Sequence, residues 1–165
     1  MASIIYMTDF AEAYARGLLL GIARYAESVG EAWNICRLPL SIRDRFGIKA
    51  VVEYAYTHHA DAVIGQFNPQ DDVSLFTKQG ILVLAQDFKS PFTDIPNIRG
   101  EYRKSGEMAA DYFINKGFRN FGFYGVKHVN WSEDRRKGFL DVISSKVPGY
   151  SFYDMEMLKS DMWNY

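Results

Sequence analysis

The sequence predicts an α/β protein in which helices cover both faces of a parallel sheet. Short, continuous apolar runs, typical of strands buried on both faces, alternate with segments whose apolar residues recur at helical spacing. Glycine or proline stands near the ends of several of these segments, where turns are expected. Right-handed crossovers would place the helices alternately on the two faces of this sheet.

The first half of the chain predicts four strands joined by three helices. In order, the strands are Ile4–Met7, Trp33–Leu38, Ala62–Gly65 and Ile81–Ala85. The first helix is expected from about Glu12 to Val29. The signals for helix starts and ends are the N-cap residues Asp9 and Asp44, the helix-opening Pro69 with Asp71 and Asp72, and the closing glycines Gly30 and Gly80.

The second half predicts three more strands and two helices. The expected elements are the strand Asn97–Gly100, the helix Ser105–Lys116 ended by Gly117, the strand Asn120–Tyr124, a helix from Ser132 to about Ser145, and a strand that begins at Ser151–Tyr153. The first of these helices should bury one apolar side, formed by Met108, Ala109, Tyr112 and Phe113. Ser132 is the expected N-cap of the other.

Composition and charge narrow the class of protein. The chain has 165 residues, of which 48% are hydrophobic, enough for one ordinary core. Its 19 basic residues balance 20 acidic ones without a basic cluster, so these residues are not expected to bind DNA. The single Cys36 and the absence of a signal-peptide pattern at the N-terminus favour the cytoplasm.

The turns that follow the predicted strands carry the candidate binding residues. Ligands of open parallel sheets bind at the carboxyl ends of the strands, where loops converge. Amide, carboxylate and aromatic side chains recur there, a mixture suited to sugar hydroxyls and to the apolar face of a sugar ring. They are Thr8, Asp9 and Phe10; Gln66, Phe67 and Asn68; Gln86, Asp87 and Phe88; and His128, Asn130 and Trp131. Alternatively, the aspartates only orient turns and the phenylalanines only pack in the core.

Trp131 and Arg135 form the most specific candidate pair. They lie four residues apart at the start of a predicted helix, so their side chains share one face and can reach the same ligand. The alternative is a surface ion pair of Arg135 with Glu133 or Asp134.

Signals for an enzyme are weak. The pair His58–His59 lies near a predicted helix end without a partner nucleophile or carboxylate at a recognisable spacing, which favours a structural role. The turn after the first strand contains no glycine, which excludes nucleotide-binding folds that need a glycine-rich loop there. Gly17 and Gly21 would give the first helix a flat strip, for approach by a subunit or for close packing within the chain.

Three segments resemble the periplasmic-binding-protein-like domain of the lactose/galactose repressor family, most closely the xylose operon regulatory protein group. The first is Thr8-Asp9-Phe10 with Tyr14-Ala15-Arg16-Gly17-Leu18-Leu19-Leu20-Gly21-Ile22, and the second is the strand Ala60-Asp61-Ala62-Val63-Ile64-Gly65-Gln66. The third joins Gly106-Glu107-Met108-Ala109-Ala110-Asp111-Tyr112-Phe113, Lys116-Gly117-Phe118-Arg119-Asn120-Phe121-Gly122-Phe123-Tyr124-Gly125, and Trp131-Ser132 with Arg135 and Gly138-Phe139. In that family, the arginine three residues before the Gly-aromatic pair contacts the effector.

The resemblance implies a sugar-sensing effector domain of a transcription regulator. Residues 1–117 would form the first of two α/β lobes, and residues 118–165 the start of an incomplete second lobe. The residues expected to bind the sugar, from their positions and from this resemblance together, are Asp9, Phe10, Tyr14, Gln66, Asp87, Trp131 and Arg135. Neither a metal nor a cofactor is expected. The resemblance further implies a cytoplasmic homodimer that binds DNA through an AraC-type domain absent from this chain.

Two other classes of protein remain open at this point. A solute-binding protein of a sugar transporter would share the fold but would need an export signal. A flavodoxin-like receiver or enzyme domain could use the same alternation of strands and helices. A domain of that class would require an acidic residue after the third strand, but this chain has Gly65-Gln66 there.

Overall fold

The computed structural model describes residues 1–10, 13–86 and 89–156, and these fall into two compact units. The first unit holds residues 1–86 and 91–98, and the second holds 89–90 and 99–156. Each unit has its own sheet, and its buried apolar residues form two clusters in the first unit and one in the second. Among the described residues, no helix combines the length and apolar character needed to cross a membrane.

The first unit contains a five-stranded parallel sheet in the order β2-β1-β3-β4-β5. Its elements are β1 (Ala2–Thr8), α1 (Ala13–Ser28), β2 (Trp33–Pro39), α2 (Leu40–Thr57), β3 (Ala62–Gln66), α3 (Ser74–Thr77), β4 (Leu82–Gln86) and β5 (Asn97–Ile98). The parallel α/β class predicted from the sequence is therefore confirmed.

Alternating residues of the central strands enter two separate cores. Ile5 and Met7 of β1 lie in a cluster with Val51 and Ala55 of α2. Ile4, Tyr6 and Ile64 lie in the other, where Leu18 and Ile22 of α1 pack against them. The central strands are therefore apolar on both faces, as their continuous apolar sequence predicted.

The second unit pairs two helices with a two-stranded parallel sheet. Its elements are α4 (Tyr102–Asn115), β6 (Asn120–Gly125), α5 (Asn130–Lys146) and β7 (Ser151–Glu156). Phe121, Phe139 and Ile143 form its core together with Ala110 and Val147. Three neighbouring rings meet Phe139 edge-on or tilted, with centroids 6.2 to 6.3 Å away: Phe113, Phe121 and Phe123.

Two glycines let α4 and α5 touch backbone to backbone. A methyl group added at Gly106 of α4 would overlap the carbonyl group of Arg135, and one added at Gly138 of α5 would overlap that of Arg103. On the predicted lobe boundary near residue 117, α4 would belong to the first lobe. By compactness α4 belongs to the unit that contains α5.

The apolar side predicted for α4 is partly wrong. Met108 is 66% exposed and Tyr112 is 60% exposed, whereas Gly106 and Ala110 are buried. Hydrophobic spacing favoured the large residues. The close approach to α5 instead requires the smallest side chains at the contact, because bulkier ones would hold the helix axes apart.

Two predicted helix starts in the first unit differ from the structure. The third helix is only the four-residue α3, because the side chains of Asp71 and Asp72 accept hydrogen bonds from the Asn68 and Ser74 amides and form a turn instead. The second helix begins at Leu40 rather than after Asp44, and Gly47 interrupts it with φ 77°. Pro39, which was expected only to end a strand, is its N-cap.

Ser132 is not the N-cap of α5, because that helix already begins at Asn130. The Ser132 hydroxyl is buried and accepts a hydrogen bond from the Val126 amide at 2.9 Å, which ties the β6–α5 turn to the helix. The predicted start of α1 near Glu12 lies outside the described residues. Its predicted end is confirmed, since Gly30 follows with φ 72°.

The two glycines of α1 do not serve close packing within the described part of the chain. A methyl group added at Gly17 or Gly21 would meet nothing within 4 Å. Both lie on the exposed side of the helix. Approach by another subunit therefore stays a prediction for this strip.

Candidate functional site

Three strands of the first unit end at the same level of the sheet. Met7 pairs with Gly65 in the β1–β3 register, and Gln66 pairs with Gln86 in the β3–β4 register. The last residues of the three strands, Thr8, Gln66 and Gln86, are therefore neighbours along one edge. Asp9 follows Thr8 directly and belongs to this edge too, as the sequence predicted.

These three residues also share a face of the sheet. Side chains alternate along a strand, so Thr8 lies on the same face as Tyr6, and Gln66 on the same face as Ile64. This is the face that α1 covers. Thr8 is 0%, Gln66 6% and Gln86 2% exposed. We call these three residues the polar row.

Aromatic and cationic side chains hold the chain where it leaves β1. The Phe10 ring meets the Tyr6 ring edge-on, with centroids 5.5 Å apart, and the Arg37 guanidinium lies 5.4 Å from its centroid. Arg16 donates a hydrogen bond of 3.1 Å to the carbonyl oxygen of Phe10. Phe10 is half-buried, so part of its ring stays accessible at the edge of the sheet.

Arg43 is a structural residue of this edge that sequence reasoning missed. Its guanidinium is buried, donates to the carbonyl oxygen of Gln66 and pairs with the Asp44 carboxylate at 2.6 Å. It thereby fixes the end of β3 to the start of α2. An arginine in the first turn of a helix gives no sequence signal for such a role, because the contact joins residues 23 positions apart.

The other candidate binding residues of the first unit differ in how exposed they are. Phe67 is buried in the core, where its ring meets those of Phe76 and Phe92, so the packing alternative holds for it. Tyr14 is 51% exposed on α1. Asp87 and the neighbouring Phe88 lie outside the described residues.

A concave region of about 360 Å³ lies in the same unit between the turn after β3 and the segment before β5. Asp71, Asp72 and Asp94 line it. The hydroxyl of Ser74 donates to the Asp72 carboxylate, and this hydrogen bond lowers the Asp72 pKa. The hydroxyl of Thr93 likewise donates to Asp94. These carboxylates thus order their own turns.

In the second unit, the Arg135 side chain contacts two aromatic rings. Its guanidinium carbon is 5.2 Å from the Trp131 ring and 4.9 Å from the Tyr102 ring, both within cation–π range. The shared helix face predicted for Trp131 and Arg135 is present. Tyr102 begins α4. No sequence pattern links it to Arg135, since 33 positions separate the two residues.

Arg135 does not form the surface ion pairs considered as its alternative. Glu133 accepts a hydrogen bond from the His128 amide at 2.7 Å, and Asp134 pairs with Arg99 at 2.9 Å. Within the described chain, no carboxylate pairs with Arg135. Its hydrogen-bond donors are therefore not committed to an acidic side chain.

The turn before α5 has a fixed shape. His128 adopts φ 59°, a conformation that non-glycine residues seldom take, and its amide donates to Glu133. Further along α5, Arg136 pairs with Asp154 of β7, which raises the pKa of the Arg136 guanidinium. Together these contacts anchor the start of α5, where Trp131 and Arg135 lie.

Comparison with solved structures finds this fold in sugar-binding proteins and regulators. A periplasmic binding protein/LacI transcriptional regulator from Alkaliphilus metalliredigens, in complex with D-xylulofuranose, is 20% identical with a TM-score of 0.72 over 95% of this chain. A periplasmic solute-binding protein of an ABC transporter from Actinobacillus succinogenes, with bound D-allose, is 14% identical with a TM-score of 0.76 over 94%. A LacI transcriptional regulator from Lactobacillus brevis is 16% identical with a TM-score of 0.75 over 97%.

This likeness establishes a periplasmic-binding-protein-like fold. The chain spans 57% to 60% of the length of these three structures. No model of a known protein family matches the sequence, and no curated protein matches it.

Proposed function

We propose that this chain is part of the effector-binding domain of a sugar-responsive transcription regulator, similar to the xylose operon regulatory proteins. The observation that carries the proposal is the polar row, which gathers a hydroxyl and two amides at the carboxyl edge of a parallel sheet beside the Phe10 ring. Sugars need such neutral donors and acceptors next to an aromatic face. Proteins of the same fold hold sugars in two of the neighbouring structures.

Residues of both units have roles in this proposal. Asp9, Gln66 and Asp87 would accept or donate hydrogen bonds to sugar hydroxyls, and Phe10 and Tyr14 would contribute aromatic surface. Trp131 would stack on the ring of the sugar, and Arg135 would donate to it. No metal, cofactor or chemical step is involved.

Regulation would follow from a shift between conformations. A sugar that binds one state of the effector domain more tightly increases the population of that state. In a cytoplasmic homodimer, this shift would change the placement of DNA-binding domains that are not part of this sequence. The AraC type of those domains and the identity of the sugar as a pentose are part of the proposal.

A second candidate is the solute-binding protein of a sugar transporter. It is favoured by the Actinobacillus structure, which has the same fold and belongs to a transporter. The two candidates share the sugar site and differ in the partner. Binding of the complete gene product to DNA upstream of its own operon, with a sugar-dependent affinity, would favour the regulator and argue against the transporter protein.

Calorimetric titration of the complete gene product with D-xylose, L-arabinose and D-ribose tests the sugar site. We expect binding of at least one of these sugars, and a loss of at least tenfold in affinity for Arg135→Ala. Lys137→Ala is the matched control, because Lys137 is exposed on the same helix two residues away. Equal affinity of the Arg135 variant and the wild-type protein would refute the role of Arg135, and absence of binding for all three pentoses would refute the proposed ligand class.

A further inference from the structure

Two side chains of the polar row contain unpaired polar atoms. The Thr8 hydroxyl oxygen and both the oxygen and the nitrogen of the Gln86 amide have no hydrogen-bond partner among the described residues. Thr8 is 0% and Gln86 2% exposed, so these atoms are also shielded from bulk solvent. Buried polar groups are nearly always paired in native proteins, and an unpaired one lowers the stability of the fold. These three atoms therefore indicate a missing partner.

The position of these atoms indicates where the partner enters. Thr8 ends β1 and Gln86 ends β4, and Gln66 of β3 lies between them at the same level. Neighbouring strands are about 4.8 Å apart, so the outer members of the row are separated by about 10 Å at the backbone. A small molecule with polar groups on opposite sides can bridge this distance with one hydrogen bond at each end. Because these atoms are shielded in this structure, the groups that cover them would have to shift for the molecule to reach the row from the carboxyl edge of the sheet.

The chemistry of the row indicates the kind of partner. A hydroxyl and a carboxamide can each donate and accept a hydrogen bond, and neither carries a charge. Hydroxyl groups of a neutral sugar have the same dual capacity. A carboxylate or phosphate would instead use only the donors and would leave the Gln86 carbonyl oxygen unpaired. The row therefore fits a neutral polyol better than an anion.

We infer that Thr8 and Gln86 hydrogen-bond to hydroxyl groups of the bound sugar and help determine which sugar binds. This inference rests on the proposed function, because it adds two contacts to the same sugar site. The competing explanation is a purely structural one, in which buried water molecules satisfy the three atoms permanently. The two explanations predict opposite changes in stability and affinity.

The experiment compares Thr8→Val and Gln86→Leu in the complete gene product. Each substitution keeps the approximate shape of the side chain and removes the unpaired polar atoms. Without sugar, we expect the thermal unfolding midpoint to stay unchanged or to rise, because no hydrogen bond is lost and an unpaired polar group is removed. In calorimetric titrations with D-xylose, L-arabinose and D-ribose, we expect each variant to lose at least tenfold in affinity. Gln79→Leu is the control, since Gln79 is exposed after α3.

Other outcomes overturn the inference in distinguishable ways. A lower unfolding midpoint with unchanged sugar affinity would show that the two side chains hold structural water. Unchanged midpoint and unchanged affinity would show that they have no role in binding. If the wild-type protein binds none of the three sugars, the proposed function fails and the inference fails with it, whereas a binding wild type with unaffected variants refutes the inference alone.

Discussion

At the scale of single residues, two ring contacts restrain the flexible side chain of Arg135, which we propose donates to the sugar. A guanidinium that lies against an aromatic ring can keep its N–H groups available for hydrogen bonds in the plane of the group. Tyr102 and Trp131 provide these rings at 4.9 and 5.2 Å. Glu133 and Asp134 are engaged elsewhere, and no acid among the described residues pairs with Arg135. The ring contacts thus reduce the entropy that Arg135 would lose on binding a sugar.

This arrangement makes Tyr102 a positioning residue. A cation–π contact is worth about 0.5–1 kcal/mol at an exposed site, so Tyr102→Leu should weaken sugar binding by about two- to fivefold. Tyr102→Phe retains the ring and should bind sugar as the wild-type protein does. Calorimetry gives the affinities, and thermal unfolding separates positioning from a general loss of stability. If the leucine and phenylalanine variants bind sugar equally well, the ring contact does not contribute.

At the scale of secondary structure elements, the crossing of α4 and α5 depends on glycine at the contact. Gly106 and Gly138 each face a backbone carbonyl group of the other helix, that of Arg135 and of Arg103 respectively. Arg103 also pairs with Asp141 of α5 at 2.6 Å, and Lys146 pairs with Asp111 of α4 at 2.7 Å. These exposed ion pairs contribute little by themselves. The close backbone packing therefore sets how α4 and α5 cross, and this crossing brings Tyr102 next to Arg135.

Replacing a glycine at the α4–α5 contact by alanine should destabilise the protein, whereas replacing a glycine of α1 should stabilise it. Gly106→Ala and Gly138→Ala should each destabilise the protein by about 1–3 kcal/mol or more, because the backbones must move apart. Gly17→Ala should stabilise it by up to about 1 kcal/mol, since alanine is the better helix former and the added methyl meets nothing within 4 Å. Urea unfolding measures all three free energies. Equal effects of the substitutions in α1 and α4 would contradict the close crossing.

At the scale of the whole molecule, the two units differ in how well their sheets are protected. β1 pairs with strands on both sides and is buried through Ile4–Thr8. In the described part of the second unit, β7 pairs with β6 alone, and five of its six residues are exposed. Buried, doubly paired strands open least often.

Amide hydrogen exchange should reveal this difference. We expect the slowest exchange in β1 and β3, and exchange at least a hundredfold faster in β7, because opening of an exposed edge strand breaks few apolar contacts. Exchange followed by mass spectrometry at peptide resolution measures both. Similar protection of β7 and β1 would show that further chain or a partner covers the second sheet.

The sequence by itself determined the alternation of strands and helices, the parallel sheet and the edge where the candidate binding residues gather. The physical reason is local: strands apolar on both faces require a covered parallel sheet, and in a parallel sheet the strand ends meet at one edge. The pairing of Trp131 with Arg135 on one face also follows from helical spacing alone. Glycines with positive φ end α1 and α4 at Gly30 and Gly117, as predicted.

Only the tertiary structure decided which side chains meet across long separations. Arg43 reaches the carbonyl of Gln66, Tyr102 reaches Arg135, and Gly106 rather than Met108 is buried on α4, because each depends on how separate elements pack. Local turn chemistry at Asp71 and Asp72 likewise outweighed the helix signal after Pro69. The unpaired state of Thr8 and Gln86 is a property of burial, which depends on packing and therefore could not be derived from the residue types alone.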